Sequence, residues 1–124
     1  MKLSDNFTLD EFQRPGHEVP PEYMANLRLL AHNLQTIRDE IGKPIHIHSG
    51  FRTPATNSGV KRSQHLLAKA ADLKVRGMTP EELHAVILQM IRDGKIQRGG
   101  VGLYPGRFVH YDVRGKNARW RAKK

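Results

Sequence analysis

Hydrophobic residues recur at helical spacing in two segments of this chain. The first segment, residues 20–42, has two prolines suited to an opening turn and a glycine suited to a stop, and its apolar positions are Met24, Leu27, Leu30, Leu34, Ile37 and Ile41. The second, residues 79–94, opens on a capping box with proline at the first helical position and ends at a glycine. A similar box at residues 8–11 predicts a short helix that ends before Pro15.

Other segments have the patterns of β-strands. The predicted strands are residues 45–49, 70–75, 99–104 and 108–114. The first alternates, with isoleucines on one face and His46 and His48 on the other, and the last two form a hairpin around a Pro-Gly turn. Residues 50–60, rich in Gly, Pro, Ser, Thr and Asn, predict a long loop. This order predicts an α+β fold, a single domain over residues 1–124 with a small, largely antiparallel sheet packed against two or three helices.

The absence of cysteine limits the possible metal ligands, and the excess of basic residues indicates the possible partners. Without cysteine there are no disulfides and no thiolate metal sites, so any metal must sit on His, Asp or Glu. The balance of 21 Lys+Arg against 12 Asp+Glu gives a net charge of +9, which favours a polyanionic partner such as nucleic acid, an anionic lipid surface or a bacterial cell wall. The clearest basic run is a C-terminal tail at about residues 115–124, which could equally be a solvated tail.

Two of these partners receive little further support from the sequence. No nucleic-acid recognition motif is visible, and the tail offers only Trp120 for stacking on a base, so we expect no nucleic-acid partner. No apolar run approaches the length of a membrane span, so we expect no stable membrane insertion. The first residues lack the apolar core of a secretory signal, which predicts that any export uses another route.

A histidine is followed by an aspartate seven residues later twice in this chain, among seven histidines in all. His32 and Asp39 lie inside the long predicted helix, roughly 10 Å apart along its axis, so we interpret them as solvated polar residues. His65 and Asp72 differ because the chain can bend between them. Asp72 falls in a predicted strand whose Leu73 faces the core, so that its carboxylate points to the opposite face.

A third residue completes a candidate metal site. His110 and Asp112 share the polar face of the predicted strand at residues 108–114, opposite an apolar stripe. Such a pair could be the wet side of a sheet. Alternatively, His110 joins His65 and Asp72, since two histidines and one carboxylate can hold a catalytic zinc with an open fourth position. His46 and His48 could form another two-histidine site, but we interpret them as residues of a substrate cleft.

Three ordered blocks resemble the zinc D-Ala-D-Ala carboxypeptidases and the related murein (peptidoglycan) endopeptidases, which include phage endolysins. They are the Ser-Gly-aromatic-Arg loop at residues 49–57, the Ser-x-His…Ala-x-Asp motif at residues 63–72, and a Gly-rich hairpin at residues 99–115 that delivers the last histidine. Residues 6–12 also look like the opening of short members of this group.

The resemblance implies a set of site residues and a reaction. Zinc would be held by His65, Asp72 and His110, Arg52 would bind a substrate carboxylate or stabilise an oxyanion, and Ser63 would help to hold the substrate. The implied reaction is hydrolysis of a peptide bond in the cell-wall stem peptide, usually one involving a D-amino acid. We expect a monomer that acts at the bacterial cell wall or in the periplasm, released by a phage or prophage route.

The chain departs from the family pattern at two positions. Ala68 stands where the motif has glycine, a change that we expect to be tolerated unless that backbone needs a positive φ. Arg107 stands where many relatives place a catalytic acid, three residues before the last histidine. Asp112 is then the best candidate for the general base, and it could equally be a partner that fixes a histidine tautomer. The missing acid keeps open an alternative, a non-catalytic zinc-containing module of the same fold, as in the hedgehog signalling domain.

Overall fold

The fold is known from a computed structural model, which describes residues 1–54 and 63–123. Its two α-helices are α1, Met24–Ile41, and α2, Pro80–Arg92. Seven strands accompany them: β1 Lys2–Ser4, β2 Phe7–Thr8, β3 Ile45–Ser49, β4 Ala70–Val75, β5 Gly100–Tyr104, β6 Phe108–Asp112 and β7 Ala118–Arg121. Short 3₁₀ helices lie at Leu9–Glu11, Pro21–Tyr23 and Gln64–Leu67. The predicted α+β class is confirmed.

Local signals in the sequence account for the helices. Thr79 caps α2 because its hydroxyl accepts a hydrogen bond from the Glu82 amide at 3.0 Å, while the Glu82 carboxylate accepts one from the Thr79 amide at 2.8 Å. In α1 the apolar stripe faces the core, where side chains that are at most 1% exposed each contribute about 1.5–3 kcal/mol of burial, namely Leu27, Leu30, Leu34 and Ile37. The capping box at residues 8–11 gives only one 3₁₀ turn, shorter than the predicted helix.

The main sheet has five strands in the order β3-β4-β6-β5-β7. Neighbouring strands are antiparallel except for β5 and β7, which are parallel. The segment that the sequence indicated as a basic tail therefore contains an edge strand that the apolar pattern did not predict. Residues 55–60 of the predicted long loop lie outside the described residues.

The two faces of this sheet have different surroundings. One face carries alternating apolar residues that pack into the same hydrophobic core as both helices, among them Leu73, Val101, Val109 and Tyr111. The other face carries the polar and aromatic residues of the same strands, including Asp72 and His110. Among the described residues, no helix is long and apolar enough to cross a bilayer.

Candidate metal centre

Strand register places two of the predicted ligands side by side. Asp72 on β4 is paired directly with His110 on β6, which in turn is paired with Gly102 on β5. Because side chains alternate along a strand, Asp72 and His110 project from the same face, away from the helices. Both are buried, at 2% and 6% exposure.

The third predicted ligand, His65, reaches the same point from a short 3₁₀ helix. Ser63 caps this turn, because its hydroxyl accepts a hydrogen bond from the His65 amide at 3.2 Å. Ala68 ends the turn with φ 57°, a left-handed conformation that no other described residue except glycine adopts. The condition under which alanine would be unfavourable here is therefore met, and the conformation costs about 1–2 kcal/mol. This turn reverses the chain between His65 and Asp72.

The three side chains converge through defined atoms. Asp72 Oδ1 lies 3.3 Å from His65 Nε2 and 3.2 Å from His110 Nδ1. The three potential ligand atoms all lie within 4.8 Å of one another, and all three residues are buried. The structure thus brings together the set His65, Asp72 and His110 that the sequence predicted.

The hydrogen bonds at the far side of each ring determine which nitrogen is free. His65 Nδ1 lies 2.7 Å from the Gly50 carbonyl oxygen, which can only accept, so this nitrogen carries the proton. His110 Nε2 lies 2.7 Å from Asp112 Oδ2, so the same argument places its proton there. In the neutral rings, His65 Nε2 and His110 Nδ1 then present lone pairs to a carboxylate oxygen.

Lone pairs on three ligand atoms that face one another repel. The arrangement therefore requires a cation between them or additional protons on the histidine rings. Burial lowers the pKa of His110, but its hydrogen bonds to Asp112 and Asp72 outweigh burial and raise it above 6.5. Burial likewise raises the pKa of Asp72, yet hydrogen bonds from His110 and His65 hold it well below 3.8. Nitrogen and carboxylate oxygen are ligands suited to zinc and similar divalent ions. The donor set therefore fits a metal ion.

Asp112 lies behind the centre and supports His110. It is fully buried, and its Oδ1 accepts from the Gly100 amide at 2.8 Å and from Arg114 Nε at 2.9 Å, while its Oδ2 accepts from Arg114 Nη2 at 2.8 Å. Burial raises the pKa of Asp112, but the bonds from His110 and Arg114 keep it well below 3.8. With both oxygens occupied, the geometry favours the second of its two predicted roles, fixing the tautomer and orientation of His110.

Glycines in β5 make room for this arrangement. A Cβ on Gly100 would overlap the Asp112 carboxylate and the Arg114 guanidinium. A Cβ on Gly102 would overlap the indole of Trp120. The Gly-rich hairpin of the sequence is therefore a packing requirement, because carboxylate and indole lie directly on the strand backbone.

Arg52 supports the other carboxylate. Its Nη2 donates to Asp72 Oδ2 at 2.9 Å and its Nε donates to Ser49 Oγ at 3.0 Å. This contact leaves Asp72 Oδ1 directed at the two histidines. Arg52 thus lies at the centre, where its predicted contact with substrate remains a prediction.

The other two predicted substrate residues, Ser63 and His48, contact neighbouring residues of the protein. Ser63 caps the short helix that carries His65, through its hydrogen bond from the His65 amide. His48 lies on β3, where its ring stacks on Phe108 at 5.2 Å between centroids. Arg107, in the hairpin turn, lies over the same Phe108 ring at 5.2 Å. His48 and Arg107 therefore flank the centre without taking part in the ligand cluster.

Trp120 is a site residue that the sequence reasoning missed. Its ring lies 4.8 Å from the His110 ring, and its Nε1 donates to Tyr104 Oη at 3.1 Å. The register of β7 on β5 places it over Gly102, beside the metal ligands. The available signal was the alternation in residues 118–121, where a tryptophan separates two arginines, which is compatible with an edge strand.

A protein-family profile agrees with this geometry, whereas no curated protein matches the chain. The profile of the family described as Peptidase M15 matches residues 5–112, which include all three candidate ligands. The chain therefore belongs to the M15 peptidase family, the metallopeptidase family of the zinc D-Ala-D-Ala carboxypeptidases.

Proposed function

We propose that this protein is a zinc-dependent peptidoglycan peptidase that hydrolyses a stem-peptide bond involving a D-amino acid, as a D,D-carboxypeptidase or an endolysin-type endopeptidase. The observation that carries the proposal is the convergence of three buried electron pairs from His65, Asp72 and His110, with both ring tautomers fixed from behind. Membership of the M15 family supports a peptide substrate.

Different residues of the chain would bind the metal ion and keep its ligands in the correct protonation state. His65 Nε2, Asp72 Oδ1 and His110 Nδ1 would hold the ion. A bound zinc lowers the pKa of its water to about 7 and polarises the substrate carbonyl. Asp112 and Arg114 keep the proton of His110 on Nε2, which leaves Nδ1 available as a ligand at neutral pH.

Arg52 supplies a fixed positive charge beside the ligands. It holds Asp72 through one oxygen, and its side chain is 26% exposed, so the side chain is partly open to solvent beside the candidate ligands. A guanidinium in this position can stabilise a substrate carboxylate or the oxyanion that develops during attack on a peptide carbonyl. Its proposed role is therefore both to orient Asp72 and to bind the reacting group.

The site of action follows from the substrate. The protein would act at the bacterial cell wall or in the periplasm, after release by a phage or prophage route. Its net charge of +9 favours approach to an anionic wall. Salt should weaken that approach, because exposed charges are largely screened beyond about 10 Å at 0.1 M ionic strength.

One experiment tests the proposed reaction directly. Purified protein is loaded with zinc, its metal content is measured by elemental analysis, and it is incubated with purified peptidoglycan. Mass spectrometry of the soluble products identifies each new amino and carboxyl terminus, and a chelator-treated sample serves as the control. We expect about one zinc per chain and new termini at a D-amino acid that chelation abolishes.

A non-catalytic zinc-containing cell-wall binding module is the second candidate. Arg107 favours it, because this cation stands where many relatives place a catalytic acid. Its signature in the same experiment is one zinc per chain and co-sedimentation with peptidoglycan, without any new terminus. Absence of bound metal would contradict both candidates.

A further inference from the structure

Two cations, Lys74 and Arg107, lie with two histidines beside the metal centre on the same sheet face. We define the cationic shelf as these cations together with His46 and His48, all of which are exposed. His46 is paired with Lys74 across β3 and β4. Because Lys74 lies two residues beyond Asp72 on the same strand, both side chains project from one face.

Lys74 and Arg107, the charged members of the cationic shelf, lie close together. Both line one cleft, of about 270 Å³, between the end of the sheet and the start of α2. Burial and then the charge of Lys74 lower the pKa of His48, and His46 and Arg107 lower it further, while Asp72 alone raises it. Lys74 and Arg107 therefore place positive charge beside His48.

Among the described residues, no carboxylate forms an ion pair with Lys74 or Arg107. The two arginines nearer the metal centre behave differently, since Arg52 pairs with Asp72 and Arg114 with Asp112. Like charges held close together repel, so a cluster of cations without a partner favours an incoming anion.

Two members of the cationic shelf, His48 and Arg107, contact the Phe108 ring. The Phe108 ring stacks with the His48 ring, at 5.2 Å between centroids, and with the Tyr104 ring, at 4.4 Å. Arg107 lies over the same ring, which holds its guanidinium against the sheet. The Arg107 guanidinium therefore lies over Phe108, which is two residues from His110 on the same face of β6.

The distance from the metal ligands indicates which part of a substrate would reach the cationic shelf. Two residues along a strand correspond to about 7 Å, the separation of the Asp72 row from the Lys74 row. An extended peptide advances by about the same amount in two residues. A substrate lying along the sheet with one bond at the metal would therefore place a group two residues away over Lys74 and Arg107.

We propose that the cationic shelf binds a free carboxylate of the substrate about two residues from the bond that is cut, which makes the preferred substrate an acidic peptide. This inference rests on the proposed peptidase function. It assigns substrate selection to Lys74 and Arg107, with His48 and Phe108 as the surface that positions the charge.

The test uses matched peptides and matched variants. Each synthetic peptide has a D-amino acid at the scissile bond and either Glu or Gln two residues away, placed on each side in turn. We expect wild-type protein to cleave the better Glu peptide about tenfold more efficiently than its Gln counterpart, since each exposed ion pair contributes up to about fivefold. In the Lys74→Gln/Arg107→Gln variant this preference should fall to about onefold through a higher KM.

The control variant removes the same charge elsewhere. Arg28→Gln/Lys116→Gln alters two exposed cations outside the cationic shelf and should keep the tenfold preference. Unchanged thermal unfolding and zinc content in both variants show that fold and metal centre are intact. Equal cleavage of the Glu and Gln peptides by wild-type protein would overturn the inference while leaving the proposed function in place.

If no peptide is cleaved and the proposed function fails, a binding measurement still tests whether the cationic shelf binds a carboxylate. The same peptides are titrated into zinc-loaded protein and followed by the NMR signals of the His48 ring. Tighter binding of the Glu peptide, lost in Lys74→Gln/Arg107→Gln, supports the cationic shelf. Equal affinities for the two peptides overturn it.

Discussion

Two segments of this chain carry a histidine followed seven residues later by an aspartate, yet the surroundings of the two pairs differ. His32 and Asp39 lie on α1, both exposed, and Asp39 accepts a hydrogen bond from Gln35. His65 and Asp72 are at most 3% exposed, and their ligand atoms lie 3.3 Å apart. A straight helix separates the first pair by about 10 Å, whereas a turn ending at a left-handed residue folds the second pair together.

The difference shows that a metal site depends on how the chain folds between two ligands and not on their spacing in the sequence. The exposed pair is also an internal control, because each residue of the buried pair has a counterpart of the same type in the same protein. Substitutions can therefore be compared without a change of residue type or of chain.

The largest expected difference is between His65→Ala and His32→Ala. Removing one of three protein ligands should weaken metal binding by about 3 kcal/mol or more, roughly a third of the total for a tight zinc site. Peptidase activity should fall to background with it. His32→Ala should leave both properties unchanged, as measured by competition with a chromophoric chelator. Equal effects of the two substitutions would contradict the site assignment.

The second comparison is between Asp112→Asn and Asp39→Asn. Loss of the charged partner of His110 should reduce metal affinity about 10–100-fold, whereas the substitution on α1 should have no effect. Metal affinity and kcat measured on the same samples separate the two roles predicted for Asp112. An unchanged affinity with kcat reduced 10²–10⁴-fold would indicate a general base instead.

The pH dependence of stability should reverse between the metal-free and the zinc-loaded protein. In chelator-treated protein, the raised pKa of His110 means that its contribution is present below pH 6.5 and is lost as the pH rises through the folded-state pKa. The lowered pKa of Asp72 gives a contribution present above pH 3.8 and lost as the pH falls through the folded-state value.

Zinc competes with protons for the same nitrogen, so the loaded protein should instead gain stability as the pH rises. Thermal unfolding between pH 5 and pH 9, with zinc or with chelator, measures both trends. Parallel curves in the two samples would show that His110 is not a ligand.

The smallest expected effect concerns the turn that distinguishes the two pairs. Ala68→Gly relieves about 1–2 kcal/mol of left-handed strain. It also removes a buried methyl group worth about 0.8 kcal/mol and adds about 0.5–1 kcal/mol of chain entropy in the unfolded state. These contributions nearly cancel, so the free energy of unfolding in urea should change by less than about 1 kcal/mol. A loss above 2 kcal/mol would mean that the Ala68 side chain itself holds the turn.

Much of the fold was accessible to sequence reasoning because its signals are local. The capping box of Thr79 and the apolar stripe of α1 act within a few residues, so they predict elements that the structure contains. The strand Ala118–Arg121 escaped prediction because its pairing with β5 is parallel and arises from residues distant in sequence. Its edge position also leaves it half exposed, without an apolar run.

The sequence by itself determined the helices, four of the strands, the family motifs and the candidate ligands His65, Asp72 and His110. Only the tertiary structure decided which ring nitrogens point at Asp72, because the Gly50 carbonyl that accepts from His65 lies 15 residues away in the sequence and the pairing of His110 with Asp72 depends on strand register. It also placed Trp120 against His110 and, among the residues that the structure describes, left Lys74 and Arg107 without a carboxylate in an ion pair. The physical reason is that residue identity specifies which groups can bind, whereas their orientation and neighbours depend on long-range packing.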